Sequence, residues 1–212
     1  MKIQPNVFFD IQKRFQNFFI VPTCIIFCFV FLNPHFSIFQ IIYHPGWSSP
    51  DLSNDYALIQ LKQPVPFSQA IAPVCLPMND QENFANDIGT IVGWGITELG
   101  QLSSVLREAE VFILSNITCY ETLKPYGILP DANIICIQGS PQGVNQTTCN
   151  GDSGGPLMVQ ENGKFIHVGL TSYGLSAECS TDLPTMFART TSILEWISAV
   201  ISSTSNLWQY VV

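Results

Sequence analysis

Charged residues, and basic ones above all, are scarce in this sequence. Lysine and arginine together number eight, the net charge at pH 7 is −8, and only 11% of the 212 residues are charged. Nucleic-acid-binding proteins usually carry clustered basic side chains, so we expect no nucleic-acid partner. With 47% hydrophobic residues, the composition argues against a disordered chain. It favours a packed chain that is mostly β or membrane-associated.

Metal-ligating patterns are also absent, although cysteine is plentiful. The seven cysteines form no C-x-x-C pair and show no cysteine/histidine ligand spacing, so we expect neither a metal nor another cofactor. Two N-glycosylation sequons are present, N-I-T at Asn116 and N-Q-T at Asn145. Together with the cysteines, these sequons favour a secreted, extracellular protein with oxidised disulfides.

Only one stretch is strongly apolar, Phe18–Leu32 with the sequence FFIVPTCIIFCFVFL. Its 15 residues are fewer than the roughly 20 that a bilayer-spanning helix needs, but they suit the apolar region of a signal peptide. No small-x-small cleavage site follows it. Residues 1–36 are therefore interpreted as an atypical hydrophobic segment. It is a signal, a membrane anchor through residues 18–32, a β-rich stretch, or an incorrectly assigned start of the reading frame.

From Phe36 onward the pattern changes to short apolar segments between turns rich in glycine, proline and asparagine, which predicts an all-β sandwich or barrel. One helix is predicted near the end, where apolar residues from Ile193 to Ile201 share one face. We expect a domain over residues 37–201 and a tail over 202–212. The predicted strands contain residues 38–43, Tyr56–Leu61, Ile88–Val92, Val111–Leu114, Ile134–Ile137, Leu157–Val159 and Phe165–Thr171.

The stretch CNGDSGGPL, Cys149–Leu157, places Ser153 among three glycines. Such a turn lets the N–H groups of Gly151 and Ser153 point at one spot, as an oxyanion hole for acyl transfer requires. In NDYALIQL, Asp55 precedes an alternating strand and could orient a histidine. The alternatives are a glycine-rich loop with an inert serine and an aspartate that only caps a turn.

Six motifs occur in an order that is similar to the trypsin/chymotrypsin family of serine proteases: YHPGW, NDYALIQL, PVCLP, VGWG, GDSGGPL and TSYG. The resemblance extends from about Ile38 to Ile201. It implies a two-barrel β fold with an incomplete first barrel and a C-terminal helix. It also implies a polypeptide substrate, with Asp55 as the orienting residue, Ser153 as nucleophile and the N–H groups of Gly151 and Ser153 as the oxyanion hole.

The same resemblance implies a substrate pocket. Ser172, Tyr173 and Gly174 would pair with the substrate backbone as an added strand. Thr147 would form the pocket floor, and Thr185 would narrow the pocket where the family usually has glycine. An acidic floor residue selects lysine or arginine; because Thr147 is neutral, we expect a small or medium uncharged P1 residue.

The disulfides implied by the resemblance are Cys119–Cys136 and Cys149–Cys179. Cys75 would normally bridge to a segment upstream of the catalytic domain. That partner is absent from this sequence unless one of the two cysteines before residue 30 serves.

The base that should activate Ser153 is missing from this sequence. In the family a histidine lies roughly 45 residues before the aspartate in an A-A-H-C motif, which does not occur here. His35, His44 and His167 do not stand at that position. The activation sequence I-V-G-G is absent too, so Asp152 would lack its ammonium partner. Because a buried unpaired carboxylate is unfavourable, we expect Asp152 to turn outward to water and the pocket to loosen.

Three hypotheses remain. In the first, the chain is a serine endopeptidase whose amino-terminal block is missing from, or wrongly assigned in, this sequence. In the second, it is a catalytically inactive homologue that binds a protein partner. In the third, the apolar segment anchors a shortened form to a membrane. All three predict that the 212-residue polypeptide hydrolyses peptides poorly, because the triad histidine is absent.

Overall fold

The computed structural model describes residues 37–49, 52–62, 74–143, 146–175, 179 and 183–203. In chain order the elements are β1 (Ile38–Tyr43), β2 (Ala57–Leu61), β3 (Ile88–Gly93), β4 (Arg107–Ile113), α1 (Asn116–Leu123), a 3-10 turn (Lys124–Tyr126), β5 (Ile134–Gln138), β6 (Pro156–Glu161), β7 (Lys164–Gly174), β8 (Thr185–Arg189), a second 3-10 turn (Thr190–Ile193) and α2 (Leu194–Ser203). Burial alternates along β4, where every second residue from Ala109 to Ile113 is buried, whereas β2, β6 and β8 are buried at most of their positions.

Six antiparallel strands close into a barrel in the order β3-β4-β5-β8-β7-β6, with β6 pairing back onto β3. Closure leaves no free sheet edge. The barrel interior is filled by branched aliphatic and aromatic side chains, which include Ile91, Val111, Ile135, Leu157 and Phe187. The turn that contains Ser153 leads directly into β6 and therefore starts from this rigid core.

Strands β1 and β2 pair antiparallel as a separate two-stranded sheet. Tyr56 and Leu58 pack against Leu170 of the barrel and against Ile193 and Ile197 near the C-terminus. The predicted all-β, trypsin-like architecture with a C-terminal helix is thus confirmed. In the described ranges the first sheet has these two strands, whereas the second barrel is complete.

One α-helix and one strand were not predicted from the sequence. Helix α1 buries only Cys119 and Leu123, so its apolar periodicity is weak. Its start is fixed by Ser115, whose side chain accepts a hydrogen bond from the Thr118 N–H. Strand β8 is buried at all five positions and therefore lacks the alternation that identifies a half-buried strand.

The predicted amino-terminal segment, residues 1–36, lies outside the described residues, and so does most of the predicted tail. The proposed anchor at residues 18–32 is included in that segment. Within the described ranges, the structure contains no helix with the length and apolar character needed to cross a membrane. The domain boundaries at residues 37 and 201 stay predictions.

Candidate active site

Ser153 lies in a tight turn that backbone hydrogen bonds attach to strand β7. Asp152 N–H donates to the Cys149 carbonyl over 2.9 Å, and Gly154 N–H donates to the Thr171 carbonyl over 2.6 Å. In return, Thr171 donates to the Gly155 carbonyl through its N–H and its hydroxyl, over 2.9 and 3.1 Å. The bonds between Thr171 and the two glycines attach the end of the turn that follows Ser153 to β7, and the bond from Asp152 to Cys149 closes the turn before Ser153.

The turn leaves polar groups available at its centre. Gly151 has a φ of 97°, a conformation that other residues rarely adopt. In the described part of the chain, the N–H groups of Gly151 and Ser153 and the Ser153 hydroxyl make no hydrogen bond. Two unused N–H donors beside a hydroxyl are the groups that a tetrahedral acyl intermediate needs.

Asp152 points inward, so the prediction that it turns outward to water is wrong. The residue is 8% exposed. Its carboxylate accepts hydrogen bonds from the Gly95 N–H over 2.7 Å and the Cys149 N–H over 2.9 Å. Burial raises the pKa of Asp152, and these two backbone hydrogen bonds oppose that rise. Charge-assisted bonds to backbone N–H groups stabilise a buried carboxylate without a cation, so the predicted loosening of the pocket loses its basis.

The two glycines of the G-W-G motif make room for this carboxylate. A Cβ atom added at Gly93 would lie 1.9 Å from Asp152 Oδ1, and one added at Gly95 would lie 2.4 Å from Asp152 Cγ. Any side chain at either position would therefore displace Asp152. This role of the two glycines was not predicted, although the G-W-G motif itself was the available signal.

Asp55 is half-buried just before β2 and accepts a hydrogen bond from the Ser172 hydroxyl over 2.8 Å. Burial raises the pKa of Asp55, and the bond from Ser172 opposes the rise. Ser172 also lines the pocket that contains Ser153. It therefore contacts Asp55 and lines the same pocket as Ser153, and its bond to Asp55 was not predicted because only the Ser172 backbone was considered.

A pocket of about 110 Å³ opens beside Ser153. Thr147 and Thr185 lie together in it with their hydroxyls hydrogen-bonded to each other, and Tyr173 and Gly174 also line it. The described lining residues carry no charged side chain. All five residues that the sequence assigned to substrate binding, Thr147, Ser172, Tyr173, Gly174 and Thr185, therefore line one neutral pocket.

Disulfides join the pairs that the resemblance implied, Cys119–Cys136 and Cys149–Cys179. The second bridge lies in the pocket wall. Cys75 is the free cysteine of the described residues and packs against the barrel core. Its predicted upstream partner lies outside the described ranges.

Two of the three histidines are engaged elsewhere. His167 is fully buried and lies 2.8 Å from the Thr190 hydroxyl, and burial lowers its pKa to about 4. His44 packs edge-on against Tyr56 and Trp196. Neither lines the described pocket around Ser153, and His35 lies outside the described residues. Among those residues, no group of three histidine, cysteine or acidic side chains could hold a metal ion.

Comparison with known proteins agrees with this geometry. A family profile described as trypsin matches residues 33–197. Brachyurin from Leptuca pugilator is 41% identical over 160 residues, which make up 73% of this chain and 63% of brachyurin. The chain thus spans less than two thirds of the length of that curated relative. With a family match over most of its length, the chain belongs to the trypsin family of serine proteases.

Proposed function

We propose that the described domain is the nucleophile-bearing part of a secreted serine endopeptidase that acts on polypeptides. The observation that carries this proposal is the Ser153 turn, with two unused N–H donors and a neutral pocket beside it. Secretion is supported by the two disulfides, which persist in oxidising compartments.

The proposed reaction is acyl transfer. The Ser153 Oγ attacks the scissile carbonyl carbon, and the negative charge that develops on the carbonyl oxygen is stabilised by the N–H groups of Gly151 and Ser153. Collapse of the tetrahedral intermediate expels the amine and leaves an acyl-Ser153 ester, which water then hydrolyses. Asp55, held by Ser172, would orient the base that takes the Ser153 proton and returns it to the leaving amine.

The 212-residue polypeptide alone is proposed to perform this reaction slowly. It has no A-A-H-C motif, and His44 and His167 make the other contacts described above. Loss of a triad histidine lowers kcat by about 10⁶ and leaves only the contributions of the oxyanion hole and binding.

The substrate class follows from the Thr147–Thr185 pair. Two neutral hydroxyls bonded to each other offer no counter-charge to lysine or arginine, and the branched Thr185 side chain reduces the pocket volume. A small or medium uncharged P1 residue is therefore the proposed preference.

A second candidate function is binding of a polypeptide without cleavage. The intact pocket beside an unactivated serine favours it, because peptide recognition by β-strand addition at Ser172–Gly174 requires no base. A membrane-anchored form, the third hypothesis from the sequence, concerns residues outside the described ranges and does not change the proposed site.

These proposals are tested by measuring peptide binding and peptide cleavage with the same protein sample. Fluorescent peptides with alanine, leucine or arginine at P1 are titrated against the full chain, and the product mixture is then analysed by mass spectrometry. The uncharged peptides should bind more tightly than the arginine peptide, and Thr147→Asp should reverse that order. Preferred binding of the arginine peptide by the unmodified chain would contradict the substrate class. Tight binding with intact peptide would favour the binding function.

A further inference from the structure

The exposed start of helix α1 carries a sequon that the proposed protease chemistry does not use. Asn116, Ile117 and Thr118 form the pattern N-x-T, the acceptor of N-linked glycosylation in secreted proteins. All three residues are exposed, and the Ile117 side chain is 77% accessible to solvent. An enzyme acting on the surface can therefore reach this segment.

Contact with a buried arginine orients the Asn116 amide. Arg189 is only 5% exposed, and its Nη2 donates to Asn116 Oδ1 over 2.7 Å. Since the amide is planar and trigonal, the oxygen that faces Arg189 directs the Nδ2 atom away from the barrel. In the described part of the chain, Nδ2 donates no hydrogen bond. The atom that receives a glycan is thus the free one.

The backbone at this site requires no rearrangement after modification. The Ser115 side chain accepts the Thr118 N–H over 3.0 Å, and the two hydroxyls of Ser115 and Thr118 lie 2.8 Å apart. These contacts cap the helix independently of Asn116 Nδ2. A substituent on that atom leaves both the cap and the Arg189 contact in place.

We propose that Asn116 is N-glycosylated as the chain passes through the secretory pathway. This proposal rests on the proposed secretion of the protein. A bond forms between Asn116 Nδ2 and C1 of the first sugar while the C1–O bond to the diphosphate of a lipid-linked oligosaccharide donor breaks. Nδ2 loses one proton, and the lipid diphosphate leaves. No oxidation or reduction is involved.

The glycan lies away from the substrate pocket. Strand β8 begins at Thr185 in the pocket and ends at Arg189, so four steps of about 3.3 Å separate these residues by about 13 Å. The chain that carries the Asn116 glycan and the Thr118→Ala variant that lacks it should therefore bind the same peptide with the same Kd, within a factor of about two.

The test uses the full chain, expressed in eukaryotic cells behind a cleavable secretion signal and recovered from the secretory pathway. Peptide N-glycosidase converts each glycosylated asparagine to aspartate, which mass spectrometry locates. Asn116 should be converted in the unmodified chain and in Thr118→Ser, which keeps the sequon. Thr118→Ala should lose one glycan and its gel shift, although the Asn116–Arg189 contact is retained.

Formation of the Cys119–Cys136 and Cys149–Cys179 disulfides shows independently that a given chain entered the secretory lumen. An unmodified Asn116 in such chains would overturn the proposal, and so would an Asn116 glycan that persists in Thr118→Ala. Since glycosylation needs no catalysis by this protein, failure of peptide binding or cleavage would count against the proposed function and not against this site.

Discussion

At the scale of single residues, Asp152 shows how the local backbone determines the state of a charge. The sequence predicts an unpaired carboxylate, because it contains no activation sequence that would supply an ammonium partner. The structure supplies two backbone N–H donors instead, from Gly95 and Cys149. Hydrogen bonding to the charged form opposes the desolvation that burial imposes. Residue types do not reveal which backbone N–H groups are available as donors, so the sequence alone does not predict this contact.

Asp152→Asn should lower the free energy of unfolding by about 1–3 kcal/mol. The amide accepts from only one of the two N–H groups and turns its own donor toward the other. Denaturant unfolding measures the loss, with the exposed Asp87→Asn as a control that should change stability by less than about 0.5 kcal/mol. Equal effects of the two substitutions would show that the buried contacts contribute nothing.

Titration of Asp152 should also contribute to the pH dependence of the free energy of unfolding. Burial raises its folded pKa above the ordinary value of 3.8. At a pH between the ordinary pKa, which applies to the unfolded chain, and the raised pKa of the folded state, the folded protein retains a proton that the unfolded chain has released. The free energy of unfolding therefore falls as pH rises through that window. Asp152→Asn should remove this part of the fall, which unfolding curves at closely spaced pH values detect.

Ser172→Ala should raise the pKa of Asp55 further. The Ser172 hydroxyl is the group that opposes the effect of burial on this carboxyl, so its removal leaves burial unopposed. An NMR titration of the aspartate carboxyl carbons measures the change, and the exposed Ser104→Ala serves as the matched control. A pKa of Asp55 that does not move would mean that Ser172 does not hold it.

At the scale of elements, the nucleophile turn and the G-W-G segment form one unit through Asp152. Gly95→Ala places a Cβ atom 2.4 Å from the Asp152 carboxyl and should reduce stability by about 1–3 kcal/mol through overpacking. Gly174→Ala is the matched control, since its added Cβ meets nothing nearer than 3.9 Å. Thermal and denaturant unfolding compare the two, and equal losses would contradict the coupling of turn and loop.

The elements also show what the sequence could predict. Strands with alternating burial, such as β4, and the amphipathic α2 follow from periodicity. Strand β8 is buried on both faces, and α1 is short with a small apolar face. Without the tertiary structure, the sequences of β8 and α1 do not show whether each segment is a strand, a helix or a loop.

At the scale of the whole molecule, Tyr56 joins the two-stranded sheet to the barrel. Its hydroxyl donates to the Arg189 carbonyl over 2.9 Å and lies 3.2 Å from the Asn133 carbonyl. Tyr56→Phe should lower the free energy of unfolding by about 1 kcal/mol without changing the pocket. Tyr43→Phe, at an exposed tyrosine, is the control. No difference between them in denaturant unfolding would contradict this connection.

Family motifs allowed most of the candidate site to be predicted, because each motif fixes a residue type at a known place in the fold. Thr147, Ser172 and Thr185 line one pocket with Ser153. Thr147 and Thr185 are 38 positions apart in the sequence. The Asp55–Ser172 bond and the space that Gly93 and Gly95 provide depend on side-chain packing. Those features required coordinates.

The central proposal is that this polypeptide presents the Ser153 nucleophile of a serine endopeptidase but does not activate it. Labelling of the disulfide-bonded 212-residue chain by a peptidyl phosphonate with an uncharged P1 residue tests this most directly, with Ser153→Ala as the reference. We predict that the two proteins are labelled at the same negligible rate. Rapid, stoichiometric labelling of Ser153 that is lost in Ser153→Ala would contradict the account.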